Sequence, residues 1–199
     1  TVLELDEGTL DLSGPQMIKL ERDLRTPSLS LLTAGRYQEA IDRLSEVPES
    51  HSDYLFAQHD IGDIYLSRLK NPQNALSYFE RIISRPEIAS FNDKRFISAY
   101  INQGLALYLT AIQKGPEQAR EAVLQLQKAI EQFKKVEPYL RYVPANQFAE
   151  AAHNVGYYNA LSLHKIWSIT KDPSPMFMAE KAWQTYINQT EAQAIPTTP

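Results

Sequence analysis

Apolar residues recur along most of this chain at three-, four- and seven-residue intervals, the period of a helix with one buried side, and no run alternates as a half-buried strand would. Tyr54, Ile61, Tyr65 and Leu69 form one such stripe, and Ala75, Leu76, Phe79, Ile82 and Ile83 form the next. Ser52 or Asp53 is the predicted cap of a helix reaching about Leu69. Asn71-Pro72 opens the following helix, because proline at the first helical position gives up only an N–H that would lack a partner. Arg85-Pro86 ends it, since the residue before proline is pushed out of the helical region. The same signals predict a helix from Asn92 or Asp93 to about Lys114 and, beyond Gly115-Pro116, another to about Val136. A last pair runs from about Asn146 to Thr170 and from about Met176 to Asn188, the latter with Ser174 as cap and Pro175 as starter. The expected fold class is all-α.

These helices group into hairpins over about 15–48, 53–86, 92–137 and 146–189, read as a single helical domain spanning 15–189. Residues 1–14 carry no clear pattern, and 190–199 are expected to be a flexible tail. Pro27 falls where the first helix of the upstream hairpin should run, so that helix is broken, begins there with Thr26 as cap, or leaves the hairpin half formed.

Comparison of the chain with itself uncovers a repeat. Ile61-Gly62-x-x-Tyr65, Gln103-Gly104-x-x-Leu107 and Val155-Gly156-x-x-Asn159 align in the first helices. Glycine inside a helix costs about 1 kcal/mol relative to alanine, so its recurrence points to a neighbouring helix packed on bare backbone. The second helices align through Ala75-x-x-x-Phe79-x-x-Ile82, Ala129-x-x-x-Phe133-x-x-Val136 and Ala179-x-x-x-Trp183-x-x-Tyr186. Alanine lets two helices approach, and the aromatic residue one turn on fills the space between hairpins. A fourth instance starts at Ala34-Gly35-Arg36-Tyr37-Gln38-Glu39-Ala40 and leads to Leu44, Val47 and Pro48. Repeats of this kind imply stacking. Gln103 and Asn159 stand where apolar residues are expected and need hydrogen-bond partners.

On these residues the chain resembles the tetratricopeptide repeat family, most closely from Tyr54 to Pro86 and over about residues 24–188 in all. The resemblance implies an α-solenoid of antiparallel hairpins, wound as a right-handed superhelix. The mid-helix glycines lie 42 and 52 residues apart, against about 34 in the family, so the superhelix is expected to be irregular. The resemblance further implies that the first helices line a concave groove for a peptide. In that family an asparagine two residues before the mid-helix glycine bonds the peptide backbone, and the matching positions are Asp60, Asn102 and Asn154. Helical spacing adds Phe56, His59, Asp63, Ser98, Ile101, Leu105, Tyr108, Glu150, His153 and Tyr157 as neighbours. Asn102 and Asn154 could instead be solvated or bonded to the adjacent helix. His59, Asp60 and Asp63 would disfavour acidic ligands, and no cluster of basic residues is present to clamp a terminal carboxylate.

Composition narrows the function. The 199 residues carry 20 Lys+Arg against 24 Asp+Glu, a net charge of −4, so there is no basic surplus for nucleic acid. No apolar run reaches the roughly 18 residues of a membrane span, and the absence of cysteine excludes disulfides and thiolate sites. The chain opens on Thr1, so a leader or anchor could have been removed and localisation stays open, cytoplasmic or extracytoplasmic. His59 with Asp63, joined by His153, is the best catalytic or metal constellation on offer, yet no H-E-x-x-H, phosphate loop or nucleophile elbow accompanies it. The aromatic set Tyr139, Tyr142, Phe148, Tyr157 and Tyr158 reads as packing between hairpins. The reading is therefore a noncatalytic scaffold or adaptor that binds a segment of another protein and needs no cofactor or metal. The alternatives are a small-ligand or assembly subunit of an envelope or transport system, and a self-associating module.

Overall fold

The structure is a computed structural model and describes residues 26–90, 96–143 and 145–194. The expected irregular segment 1–14, the start of the first hairpin, the caps Asn92 and Asp93 and the last five tail residues lie outside the described residues. Among the described residues every regular element is helical: α1 (Thr26–Thr33), α2 (Tyr37–Ser45), α3 (Tyr54–Asp63), α4 (Pro72–Ile83), α5 (Ile97–Ile112), α6 (Ala119–Val136), α7 (Ala145–Thr170) and α8 (Pro173–Ala194). A π turn, Ile64–Arg68, continues α3, and single turns fill Pro86–Ala89, Pro116–Gln118 and Glu137–Tyr142. No helix among the described residues is long and apolar enough to cross a membrane.

The chain divides into two compact units between Asp60 and Ile61, inside α3, where the repeat pattern predicts one domain over 15–189. In the first unit α1 packs on α2. Pro27 lies within the described part of α1, Thr26–Thr33. Gly35, at φ 73°, reverses the chain: its N–H reaches the Leu32 carbonyl at 3.1 Å and the Arg36 N–H reaches that of Leu31 at 2.9 Å. These two bonds close the end of α1 and need the left-handed conformation that glycine adopts freely. Ala40, Ile41 and Leu44, the buried side of α2, follow the predicted repeat.

In the second unit each helix from α4 to α8 packs on the next, and α5 also touches α7. Asn71 caps α4 as expected, its Oδ1 accepting from the Asn74 N–H at 3.0 Å with Pro72 at the first position. A core of Ala111, Ala122, Leu126, Ile130, Leu163, Ile166 and Ala179 joins α5, α6, α7 and α8. The mid-helix glycines do what their recurrence predicts. A Cβ on Gly62 would lie 2.7 Å from the Phe79 ring, one on Gly104 2.5 Å from the Phe133 ring, and one on Gly156 3.0 Å from Tyr186.

Three expectations are corrected. The aromatic residues expected to fill the space between hairpins face the glycine of their own hairpin, Phe79 at Gly62 and Phe133 at Gly104, and at the last hairpin Tyr186 takes that place, while Trp183 packs edge-on against Tyr157 with ring centroids 5.3 Å apart. Helix α8 starts at Pro173 rather than Pro175, with Asp172 Oδ1 accepting from the Ser174 N–H at 2.9 Å. The second proline is tolerated because it too falls in the first turn. Finally α8 runs on to Ala194, taking in the first five residues of the expected tail.

Candidate functional site

Helix α5 sorts its residues sharply. Between Ile97 and Ala111 the residues that keep partial exposure are Ser98, Asn102, Leu105, Tyr108 and Leu109, and all others are buried. Ser98, Asn102, Leu105 and Leu109 follow intervals of four, three and four and so make one stripe along the helix. Three of them were expected from the sequence. Ile101 is corrected: it is buried, turned from the stripe into the packed side. Tyr108 leans towards α7, its ring edge-on to Tyr158 at 5.2 Å. Burial, and then the neighbouring phenols of Tyr158 and Tyr157, raise the Tyr108 hydroxyl above its ordinary pKa of 10.0.

Asn102 and Asn154 take different roles. Asn102 Nδ2 donates to Asp63 Oδ1 at 2.6 Å, a charge-assisted bond between α5 and the end of α3. This is the adjacent-helix alternative for that asparagine, and it leaves the Asn102 carbonyl oxygen to act as acceptor. Asn154 is half-exposed, and its side chain makes no hydrogen bond among the described residues. Around it on α7, Glu150, His153 and Tyr157 share one side at helical spacing. Phe56, His59 and Asp60 belong to the first unit, are half-buried, and each is already engaged in an interaction.

His153 and Tyr157 are brought together in an aromatic cluster. Their rings stack at 5.1 Å with 13° between planes, and a 2.7 Å hydrogen bond joins Tyr186 Oη to His153 Nδ1. Tyr157 also meets Tyr158 and Tyr186 edge-on at 5.3 and 5.8 Å. Edge-to-face contact of this kind is worth about 0.5–1.5 kcal/mol beyond burial. The cluster thus fixes α8 on α7 and, through Tyr158 and Tyr108, α7 on α5. Tyr139 and Tyr142 pair separately at 6.4 Å in the turn before α7.

Of the constellation of His59, Asp63 and His153, the first residue belongs to the first unit and the other two to the second. Asp63 is engaged by Asn102 and His153 by Tyr186, and no group of three His, Asp or Glu side chains converges among the described residues.

Two features escape a reading of the sequence. One is a set of buried carboxamide oxygens that meet no donor among the described residues: Gln125 Oε1 and Gln132 Oε1, beside Gln103 Oε1 and Asn159 Oδ1, which were expected to need partners. Each such oxygen costs about 1–3 kcal/mol unless something donates to it. The seven-residue interval of Gln125 and Gln132 places both on one side of α6, the available signal. The other is a cleft of about 390 Å³ between α6, α7 and α8, reaching from Phe133 and Lys134 to Gly156, Asn159 and Lys181. No family model, curated protein or solved structure matches this chain.

Proposed function

We propose that residues 61–194 form a short α-solenoid of tetratricopeptide type and serve as a noncatalytic scaffold, binding a segment of a partner protein along the open sides of α5 and α7. The observation that carries this reading is the stripe Ser98, Asn102, Leu105 and Leu109, the side of α5 left partly exposed when its other residues are buried. The recurring contacts Gly62 to Phe79, Gly104 to Phe133 and Gly156 to Tyr186 support the repeat architecture. In this mechanism Asp63 orients Asn102 so that its carbonyl oxygen accepts a backbone N–H of the partner, while Asn154 offers both donor and acceptor. Leu105 and Tyr157 supply apolar contact. The helices hold these groups in place before binding, which lowers the ordering cost.

A photo-crosslinking phenylalanine placed at Leu105 or at Asn154 should capture the same protein from native lysate. The same group at Gln127 or Lys128, exposed on α6, should not. Capture from all four positions, or from α6 alone, would refute the reading. Self-association is the second reading, favoured by Met176, Phe177 and Met178 at the start of α8, with Phe177 70% exposed. A sedimentation mass that rises with concentration and falls back in Phe177→Ser would establish it.

A further inference from the structure

The cleft between α6, α7 and α8 is lined on α7 by Val155, Gly156, Asn159 and Leu163, none of them a groove residue, and it borders the proposed groove where Tyr186 packs against His153 and Tyr157. Along α7 the residues at its floor are Val155, Asn159 and Leu163, four apart, with Phe133 and Ala182 contributed by α6 and α8. An apolar stripe is thereby interrupted by a single amide. Its Oδ1 is buried and has no donor among the described residues, although leucine at this position would continue the stripe and remove the unmet oxygen. A position that breaks the local packing rule at a cost in stability is where function is expected.

The rim carries the charge. Lys134 and Lys181 both border the cleft, and neither ammonium has an acidic partner among the described residues. Glu137 is the acidic residue at the border, leaving the rim one positive charge in excess, in a chain whose net charge is −4. Gly156 keeps the wall beside Asn159 free of a side chain. At about 390 Å³ the cleft is near the lower end of the roughly 300–1,000 Å³ typical of small-molecule sites, too small for a helix.

We propose that this cleft binds a small organic anion, a compound with an apolar body for the Leu163, Met178 and Ala182 side chains, a polar N–H or O–H group for the half-buried Asn159 amide, and one acid group for Lys134 and Lys181. The dye 8-anilinonaphthalene-1-sulfonate has all three features and serves as the probe.

Titrated into the full chain, the dye should bind at one saturable site. Asn159→Leu should weaken binding about tenfold, the value of a hydrogen bond to a well-placed polar group, while raising the melting temperature. Lys134→Gln with Lys181→Gln should weaken it about fivefold, as expected for partly exposed charges. N-acetyltryptophan should displace the dye, and its uncharged amide should do so several-fold less well. Phe177→Ser, which alters the exposed patch on α8, and Asn154→Ala, which alters the groove, should leave the affinity unchanged. Equal affinity in the wild type and the double lysine variant, or loss of binding in Phe177→Ser, would overturn the proposal. The two lysine side chains are exposed, so that variant keeps the fold and decides the question even where Asn159→Leu does not fold.

Discussion

The α5–α6 pair and the α7–α8 pair are built on the same glycine and close in opposite ways. At Gly104 the facing ring is Phe133, wholly buried and without a polar atom of its own. At Gly156 the facing ring is Tyr186, half-buried, tied by its hydroxyl to His153 and bordering the cleft. The apolar seam secures the pair and leaves one side of α5 free as a stripe. The aromatic seam is more exposed and carries a hydroxyl and an imidazole where Phe133 has only hydrocarbon.

The largest test of this contrast is removal of the two rings. Phe133→Ala should cost about 3–5 kcal/mol in urea unfolding, whereas Tyr186→Ala, losing a half-buried ring and one hydrogen bond, should cost about 1–2 kcal/mol. Equal losses would mean that the two seams carry the same load.

Next come the glycines themselves. A methyl on Gly104 would lie 2.5 Å from a fully buried ring, so Gly104→Ala should lose about 2 kcal/mol in thermal melts, overpacking outweighing the gain in helix propensity. Gly156→Ala meets Tyr186 at 3.0 Å, and that ring can yield into the cleft, so the change should stay within about 0.5 kcal/mol of neutral. Pairing Gly104→Ala with Phe133→Leu should recover part of the loss, since the shorter side chain makes room for the methyl.

Alkaline titration sharpens the comparison at α5. The Tyr108 hydroxyl is raised above 10.0 by burial, so the folded state holds its proton more tightly than the unfolded state does. Its contribution to stability is complete below pH 10 and is lost as the pH rises through the raised value. Tyr108→Phe should therefore reduce the slope of stability against pH above about 10, while leaving the neutral-pH slope as it was. Tyr100, raised by the same cause and bonded to the Ile88 carbonyl at 3.2 Å, should retain its share in that variant.

The smallest effect concerns two lysines in the left-handed conformation, Lys70 at φ 52° and Lys171 at φ 60°. Lys70→Gly should add about 1 kcal/mol by relieving the Cβ contact. Lys171→Gly should add less, because the Lys171 ammonium lies 5.3 Å over the Trp167 ring and its loss forfeits about 0.5–1 kcal/mol.

Much of this is legible in the residues. The helical period, the Asn71-Pro72 start and the glycine contacts follow from spacing alone, because each depends on neighbours one or two turns away. The α5 stripe is reached instead through the family resemblance, which picks out Asn102, with helical spacing adding Ser98 and Leu105. The ring chosen by Gly156 is not legible, since Trp183 and Tyr186 lie one turn apart on α8 and only the packing register on α7 decides between them. The Asp-Pro-Ser-Pro run offers two equivalent helix starts, and the sequence pattern has no means to prefer Asp172. Thr190 to Ala194 lack an apolar stripe yet remain helical, in line with the propensity of Glu, Ala and Gln. Gln125 and Gln132 read as solvated because glutamine usually is. The partnership of Asn102 with Asp63 joins residues 39 positions apart and becomes visible only in three dimensions.

From α4 to α8 each helix packs on its successor in the chain, and this order bears on how the second unit is reached from the unfolded chain. Contacts between sequence neighbours close only short loops, so little chain entropy is lost before packing begins to compensate for it. Refolding should accordingly fall in the microsecond-to-millisecond range of low-contact-order helical proteins. Amide exchange should be slowest in α6, which is flanked by α5 and α7, and faster in α8, which packs chiefly on α7.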